Sequence, residues 1–294
     1  MYTLLIVNPA SGQGRAAREK RRLIDRASDL LHYRVEVTSS PDDAFTLARH
    51  AQEYGYECVV VAGGDGTINQ VINGLGDYNI PLGIIPLGTG NVLAHDLGIP
   101  AYDITRALKI IEAGKIREVD LAAVGDRRFV LMAGLGFDAA VVGSVSPKVK
   151  DVLGTVAYAP AFIEQLIKFN PVRFRLTFGD GSATYETQAL AVVVANCGTY
   201  AYNFKIAPEA VFDDGMLDIL VFESNYGTTF NLIGQALETF FQQQILNPNT
   251  SYFRATRVRV ESDPPVKMQI DGDVAGESGV DIRVLPKALK LIVP

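Results

Sequence analysis

A five-residue apolar run, Cys58–Ala62, leads directly into the segment GGDGT (63–67), and this junction constrains the fold of the chain most strongly. A strand that is apolar on both faces is typical of a parallel sheet covered by helices on each side. Residues 67–75 have the pattern of a short helix, so the junction predicts a strand, a glycine-rich turn and a helix. We therefore expect an α/β fold with its ligand site at the carboxyl ends of parallel strands.

The first 120 residues repeat this alternation of strands and helices. A charged helix is predicted over residues 15–31, and a further helix should begin at Asp103 and end at Gly114. Short apolar strands are predicted before and between these helices, for example Leu4–Val7 and Leu82–Ile85. Such alternation indicates a parallel sheet with helices on both sides.

The pattern changes near residue 122, and a chain of 294 residues has room for two domains. Strand-like runs separated by turn residues then predominate, beginning with Phe129–Ala133. A run over Val280–Val284 is predicted to be broken at Pro286, before a last strand. This part of the chain should form an antiparallel sandwich or barrel.

Composition narrows the class of protein. The net charge of −6 argues against a dedicated nucleic-acid binder, which needs a basic surface. It leaves phosphorylated ligands open, because backbone amides bind phosphate without net positive charge. Cys58 and Cys197 lie in apolar contexts that suggest buried thiols in a reducing compartment. With no signal peptide and no apolar stretch of about 20 residues in view, we expect a cytoplasmic protein.

Two further glycine-containing segments, NPASGQG (8–14) and PLGTGN (86–91), also follow predicted strands. Glycines let the backbone approach a phosphate closely, and a helix N-terminus directs free N–H groups toward it. Each segment alone could be a tight turn, but the repetition after consecutive strands favours a phosphate-binding crevice. Asp65 would be useful there if Mg²⁺ lies between its carboxylate and the phosphates.

A dinucleotide fingerprint is also present, with glycines at positions 12 and 14 and Ala17. Its context is unfavourable, because four residues separate the strand end at Val7 from Gly12. The fingerprint requires its first glycine in the strand-to-helix turn itself. The dinucleotide interpretation is therefore the weaker one.

The segments LLIVNPASGQG, VVVAGGDGTINQVING and LGIIPLGTGNVLAHDLGIP, in that order, resemble the diacylglycerol kinase catalytic family, which includes bacterial lipid kinases and the sphingosine and ceramide kinases. The resemblance continues through MAGLGFDA (132–139), APEAVFDDGMLDIL (207–220) and QIDGD (269–273). It implies a two-domain α/β fold. A Rossmann-like, parallel-sheet nucleotide-binding domain would comprise residues 1–122 and a returning strand 287–294, and an antiparallel β-sandwich for the lipid substrate would comprise residues 123–286.

The resemblance implies an ATP-dependent lipid kinase, with diacylglycerol converted to phosphatidic acid as the first expectation. GGDGT also occurs in NAD kinases, so an NAD kinase-like enzyme remains open, as does a non-catalytic nucleotide or lipid sensor. The implied ATP-binding residues are Asn8, Pro9, Ala10, Ser11, Gly12, Thr38, Gly63, Gly64, Asp65, Gly66, Thr67, Ile68, Asn69 and Thr89.

The resemblance also assigns roles to carboxylates. Asp273, where the family has Glu in an Asp-Gly-Glu turn, would be the general base, with a side chain one methylene shorter. The alternative is that residues 271–273 form only a type I′ hairpin turn. Asp65 and Asp120 would hold Mg²⁺ through water, although Val92 replaces an Asp that many bacterial members have. Asp138 matches a position that contacts the lipid hydroxyl in some relatives; a strand-end cap is the alternative.

A structural Mg²⁺ is implied at the turn before residue 217. Its ligands would be the Asp214 carboxylate and the backbone carbonyls of Val211 and Met216. Oxygen ligands in a loop suit this hard cation. The alternative is that residues 213–215 form only a turn.

A lipid substrate requires peripheral docking, transiently at the inner face of the membrane. The apolar segments 151–169 and 230–246 are docking candidates, although core packing is the favoured interpretation of both. The oligomeric state stays open, with a homodimer among the states allowed.

Overall fold

The computed structural model describes residues 2–28, 32–77, 79–144, 170–201, 204–224 and 250–294. The chain divides into two compact units, Met1–Asp120 with Pro286–Pro294, and Leu121–Leu285. The sequence-based boundaries at residues 122 and 287 differ from these by one or two residues. The candidate docking segments 151–169 and 230–246 lie outside the described residues.

The first unit alternates strands and helices and forms a parallel sheet in the order β2-β1-β3-β4, as the sequence pattern predicts. Leu291, near the end of the last strand, pairs in parallel with Leu82 of β4. The elements are β1 (Thr3–Val7), α1 (Ser11–Ser28), β2 (Tyr33–Val37), α2 (Asp43–Arg49), β3 (Cys58–Gly63), α3 (Asp65–Leu75), β4 (Leu82–Pro86), α4 (Val92–Asp96), α5 (Ile104–Ala113) and β5 (Ile116–Val124), the last of which continues into the second unit.

Both faces of the central strands of this unit are buried. Every residue of β1 and β3 is buried, which explains why both strands are apolar apart from Thr3 at the start of β1. One core contains Leu5 and Val60 from the sheet together with Leu23 of α1 and Leu108 of α5. Helices are therefore required on the sheet for the apolar strands to be stable.

Helix α5 begins and ends where local sequence rules predict. The Asp103 carboxylate accepts the N–H of Arg106 at its start, and Gly114 ends the helix with a φ of 65°. Two other helices start earlier than predicted: α1 begins at Ser11 instead of residue 15, and α3 at Asp65 instead of Thr67. Parts of the predicted glycine loops therefore lie in the first turns of helices.

The second unit consists mainly of antiparallel strands in a β-sandwich, as expected. Its core contains inward-facing residues such as Phe129, Phe174, Val194 and Ile219. Its elements are β6 (Arg127–Phe129), β7 (Met132–Gly136), α6 (Phe137–Ser144), β8 (Val172–Phe178), β9 (Ala183–Ala195), β10 (Thr199–Ala201), β11 (Phe204–Lys205), β12 (Leu217–Glu223), β13 (Thr250–Ala255), β14 (Arg257–Asp263), β15 (Lys267–Ile270), β16 (Asp273–Glu277) and β17 (Val280–Ile292), the last of which continues into the first unit.

The prediction of one continuous strand over Phe129–Ala133 is wrong. The strand is interrupted at residues 130 and 131, between β6 and β7. The reason is the carboxylate of Asp271, which accepts the backbone N–H groups of Val130, Leu131 and Met132 at 3.0–3.2 Å. A side chain distant in sequence thus satisfies amides that a regular strand would pair with its neighbour.

The predicted break at Pro286 is also wrong, because β17 runs without interruption through this residue. The next residue, Lys287, has a φ of 50°, and its N–H donates to the carboxylate of Asp120 at 2.7 Å. That hydrogen bond satisfies the backbone at the irregularity. In the described parts of the chain, no helix is both long enough and apolar enough to cross a bilayer.

Candidate functional site

The three glycine-containing segments follow strands β1, β3 and β4, which are neighbours in the parallel sheet. The first two segments are joined by hydrogen bonds. The N–H of Asn8 donates to the carbonyl of Ala62, and its side-chain amide donates to Thr67 Oγ1 at 2.9 Å. The segments thus form one hydrogen-bonded surface at the carboxyl ends of the strands, where open α/β sheets bind ligands.

The second and third segments touch through their backbones. The carbonyl of Gly63 accepts the N–H groups of Leu87 and Gly88 at 2.9 and 3.1 Å. A Cβ atom on Gly88 would collide with the Cα of Gly64, so no side chain fits at position 88 without moving a loop. Gly64 and Gly88 are therefore needed for the two loops to pack together, independently of any ligand.

Gly66 has different surroundings. It is exposed in the first turn of α3, and a Cβ there would meet no atom within 4 Å. Nothing in the described fold requires a glycine at this position. The absence of a side chain leaves the start of α3 open, which suits close approach of an anionic group.

Asp65 is part of the scaffold of this surface. Its Oδ1 accepts the N–H of Leu93 at 3.2 Å, so the carboxylate caps the start of the following helix, α4. Burial raises the pKa of this carboxyl, while the amides of residues 91–93 oppose the rise. The position of Asp65 is therefore accounted for without a metal ion, although its carboxylate remains a suitable oxygen donor for one.

Asp120 is 1% exposed, and its Oδ1 accepts the N–H of Lys287. It therefore joins the two stretches of chain that link the first unit to the rest of the protein. Within the described ranges, no group of three or more His, Cys, Asp or Glu side chains could hold a metal ion. The predicted role of Asp65 and Asp120 in holding Mg²⁺ through water stays a prediction.

The remaining predicted ATP-binding residues lie in the same unit, and some are fixed by local contacts. The N–H of Ala10 donates to Asn8 Oδ1, and the N–H of Ser11 donates to the Asn8 carbonyl. Ile68 is 1% exposed in the core, so only its backbone could meet a ligand. The other positions are Pro9 before α1, Gly12 in its first turn, Thr38 after β2, Asn69 in α3, and Thr89, whose carbonyl accepts the Tyr102 hydroxyl.

In the second unit, the turn of residues 271–272 joins β15 to β16 as a two-residue hairpin. Asp271 and Gly272 have φ values of 47° and 84°, as a type I′ turn requires. Asp273, the predicted general base, is the first residue of β16. Its Oδ2 lies 4.0 Å from Nη2 of Arg127. Its side chain is 59% exposed. A hairpin turn therefore accounts for this motif and still presents Asp273 to solvent.

Asp138 is almost fully buried in the first turn of α6, and both carboxylate oxygens accept hydrogen bonds. Tyr200 donates its hydroxyl to Oδ1, and Gln269 donates its amide to Oδ2 at 2.7 Å. Burial raises the pKa of Asp138, opposed by these two hydrogen bonds. A Cβ on Gly134 would overlap Oδ2, so a glycine is needed there to leave room for the carboxylate.

Sequence reasoning missed Tyr200 and Gln269. Gln269 is a polar residue between the apolar residues Met268 and Ile270, two positions before the Asp-Gly turn. Its side-chain oxygen accepts the N–H of Gly272 at 2.7 Å. A polar residue at such a position was the available signal for a buried partner.

At the predicted magnesium site, the Asp214 carboxylate is already engaged by protein groups, and the site stays a prediction. One carboxylate oxygen accepts the N–H of Met216 at 3.0 Å, and the other is paired with the guanidinium of Arg254. Val211, a predicted carbonyl ligand, is exposed. Positively polarised groups thus face the carboxylate where a cation would bind, and the turn alternative accounts for these residues.

Comparison with known proteins gives matches along nearly the whole chain. Residues 2–124 match the diacylglycerol kinase catalytic domain, and residues 132–293 match the YegS C-terminal NAD kinase beta sandwich-like domain. A diacylglycerol kinase of Mycobacterium tuberculosis (strain H37Rv) is 30% identical over 98% of this chain and 94% of its own length.

Solved structures have the same fold. The crystal structure of a diacylglycerol kinase from Bacillus anthracis superposes with a TM-score of 0.76 at 22% identity, covering 100% of this chain and 97% of its own. Yeast NADH kinase is more distant, with a TM-score of 0.50 at 12% identity over 100% of this chain and 84% of its own. The matches confirm the resemblance inferred from the three glycine-containing segments.

Proposed function

Because the chain belongs to the diacylglycerol kinase family of lipid kinases, phosphotransferases that act on an alcohol, we propose that it transfers the γ-phosphoryl group of ATP to a lipid hydroxyl. Diacylglycerol is the proposed acceptor, with phosphatidic acid as the product. The main supporting observation is the hydrogen-bonded surface at the ends of β1, β3 and β4. It combines backbone amides, a helix N-terminus and the open position Gly66.

This surface would bind the phosphates of ATP. Phosphoryl transfer depends mainly on positioning and on stabilisation of charge, and rigid loops supply positioning. The contacts of Asn8 with Thr67, and of Gly63 with Leu87 and Gly88, fix the three segments relative to one another. These hydrogen bonds would hold the backbone in place for the nucleotide.

Mg²⁺, when bound with ATP, supplies neutralisation of the phosphate charges. Asp65 and Asp120 are the carboxylates of the first unit proposed to hold it through water. Asp65 also supports the third glycine-containing segment through α4. The Asp214 turn has no part in this proposal.

Asp273 would accept the proton of the attacking hydroxyl. A general base must come within hydrogen-bond reach of that hydroxyl, and the exposed side chain of Asp273 leaves it open to a substrate. Since diacylglycerol resides in membranes, the protein would act as a peripheral protein at a membrane surface.

The test is the initial rate of phosphate transfer from labelled ATP in mixed micelles that contain diacylglycerol, ceramide or sphingosine, with NAD as a separate acceptor. We expect transfer to diacylglycerol and none to NAD. Transfer to NAD alone would establish the NAD kinase alternative. ATP binding without transfer to any acceptor would instead establish a sensor.

A further inference from the structure

Gln269 makes two hydrogen bonds that use opposite ends of one side-chain amide. Its Nε2 donates to Asp138 Oδ2, and its Oε1 accepts the N–H of Gly272, both at 2.7 Å. Gln269 is 2% exposed, and Asp138 is 7% exposed. The amide therefore bridges a buried carboxylate on α6 and the hairpin turn that precedes Asp273.

Burial fixes the orientation of this amide. A reversed amide would place its oxygen against the carboxylate and its NH₂ against the N–H of Gly272, leaving buried groups unsatisfied. Asp138 therefore selects the orientation in which the Gln269 oxygen faces the turn. Tyr200 holds the other oxygen of Asp138, so the carboxylate itself is fixed.

The turn is held a second time by Asp271, whose carboxylate accepts three backbone N–H groups between β6 and β7. Gly272 is thus held by Gln269, while the residue before it is anchored by its own carboxylate. Asp273 follows immediately, so the direction of its side chain depends on both anchors.

We propose that Gln269 is a positioning residue that transmits the fixed place of the Asp138 carboxylate to the turn, and thereby sets the position of the Asp273 carboxylate. This inference rests on the proposed function, in which Asp273 accepts the hydroxyl proton. It gives Asp138 a supporting role in place of direct contact with the lipid.

An exchange of the two side-chain types provides the test. Gln269→Glu places a second carboxyl group against Asp138. The contact becomes repulsive where both groups are ionised, so the variants are compared at the alkaline end of the pH range in which the protein is folded. Asp138→Asn combined with Gln269→Glu restores the contact with reversed polarity. The new amide at position 138 can donate to the new carboxylate at position 269, which can still accept the N–H of Gly272. Gln188→Glu, at a half-buried position on β9, controls for the added negative charge.

The first readout is kinetic. We expect Gln269→Glu to lower kcat by about 10- to 100-fold, since a misplaced group far from the chemistry can cost about 100-fold, with the KM for ATP unchanged within about twofold. The double variant should recover most of kcat, and Gln188→Glu should match wild type. A double variant no more active than Gln269→Glu, or a Gln269→Glu variant with normal kcat, would overturn the proposal.

The second readout does not depend on activity. Hydrogen exchange of the peptide that contains Gly272 should be faster in Gln269→Glu than in wild type, and should slow again in the double variant. If wild type phosphorylates no lipid, the proposed function fails, while exchange still decides whether Gln269 holds the turn. Unchanged exchange in Gln269→Glu would overturn the inference even in an active enzyme.

Discussion

Asp271 and Asp273 lie two positions apart in one hairpin, and their carboxylates have opposite surroundings. Asp271 accepts three backbone N–H groups, whereas Asp273 is exposed beside Arg127. The first holds backbone, and the second can meet a substrate. Residue type alone does not separate these roles; the contacts do.

Asp273→Asn should lower the turnover of diacylglycerol by at least about 100-fold, because general-base catalysis contributes roughly 10²–10⁴-fold. The affinity for ATP should change little. Asp273→Glu should retain or raise activity, since it restores the longer arm of the family. Initial rates in mixed micelles check this, and an Asn variant as fast as wild type would remove Asp273 from the mechanism.

Asp138→Asn should change the pH dependence of stability. The pKa of Asp138 is raised in the folded protein above its unfolded value of about 3.9, so the folded state binds more protons between those two values. Stability of wild type should therefore fall, relative to the Asn variant, as the pH rises from about 4 through the folded pKa. Below about pH 4 the difference should no longer vary with pH, since the carboxyl is then protonated in both states.

Thermal melts at a series of pH values check this prediction. Asp126→Asn, at an exposed position of the same unit, is the control for loss of one negative charge. A stability difference between wild type and Asp138→Asn that does not vary with pH would contradict the raised pKa.

At the scale of elements, substitutions at Gly66 and Gly88 distinguish a glycine that leaves room for a ligand from one that is needed for packing. Gly66→Ala should keep or slightly raise stability, since Ala is favoured over Gly in a helix by roughly 0.5–1 kcal/mol and its Cβ meets nothing. It should nevertheless weaken ATP binding if phosphate approaches this turn. Gly88→Ala should lower stability, because its Cβ would collide with the Gly64 backbone.

Calorimetric ATP titration and thermal melts of both variants check this. Unchanged ATP affinity in Gly66→Ala would place the phosphates elsewhere on the surface. An unperturbed melting temperature in Gly88→Ala would show that the two loops can separate without cost.

The turn before β12 is held by the partly exposed guanidinium of Arg254. Arg254 pairs with Asp214 and lies 3.4 Å from the Oδ1 of Asp218, which is 1% exposed. Arg254→Gln should lower stability by about 1–3 kcal/mol, because the buried Asp218 loses its cation while partial exposure of the guanidinium limits the loss. Chemical denaturation measures this change.

Magnesium then distinguishes the two interpretations of this turn. Without nucleotide, Mg²⁺ should shift the melting temperatures of wild type and Asp214→Ala equally, since the Met216 N–H and Arg254 already occupy the Asp214 carboxylate. A Mg²⁺-dependent stabilisation of wild type that Asp214→Ala abolishes would restore the predicted metal site by mass action.

The sequence predicts those features whose causes are local. The α5 cap at Asp103, its end at Gly114 and the type I′ turn at Asp271 and Gly272 all follow from neighbouring residues. The helix α4 and the interruption between β6 and β7 were missed. Their causes are the carboxylates of Asp65 and Asp271, which lie 28 and 140 residues from amides that they bind.

The candidate site likewise contains features that could be predicted from the sequence and features that could not. The glycine-containing segments could be found by motif, because spacing along the chain sets the strand-to-helix junctions. The bridge from Asp138 through Gln269 to Gly272 could not, because Asp138 and Gln269 are 131 residues apart and the bridge depends on strand register. The capping role of Asp65 likewise depends on the position of α4.

At the scale of the whole molecule, the first unit is assembled from both ends of the chain. Residues 286–294 complete it, and Asp120 binds the N–H of Lys287 where the two connecting strands run. The N–H of Val293 donates to the carbonyl of Lys115, which fastens the end of the chain. Residues 286–294 therefore contribute to the unit that carries the proposed nucleotide surface.

Leu291→Ala should consequently impair nucleotide binding although Leu291 lies far along the sequence from every glycine-containing segment. Leu291 is fully buried and pairs with Leu82 on β4, the strand that leads into PLGTGN. Removing a buried leucine side chain costs about 2–5 kcal/mol. Val274→Ala, at a position 48% exposed in the second unit, is the matched control and should cost far less.

Thermal melts with and without ATP measure both effects. We expect Leu291→Ala to melt earlier and to lose ATP binding at temperatures where Val274→Ala still binds, because the fold of the first unit fails before that of the second. Equal behaviour of the two variants would show that the returning strand is not needed to hold the nucleotide surface.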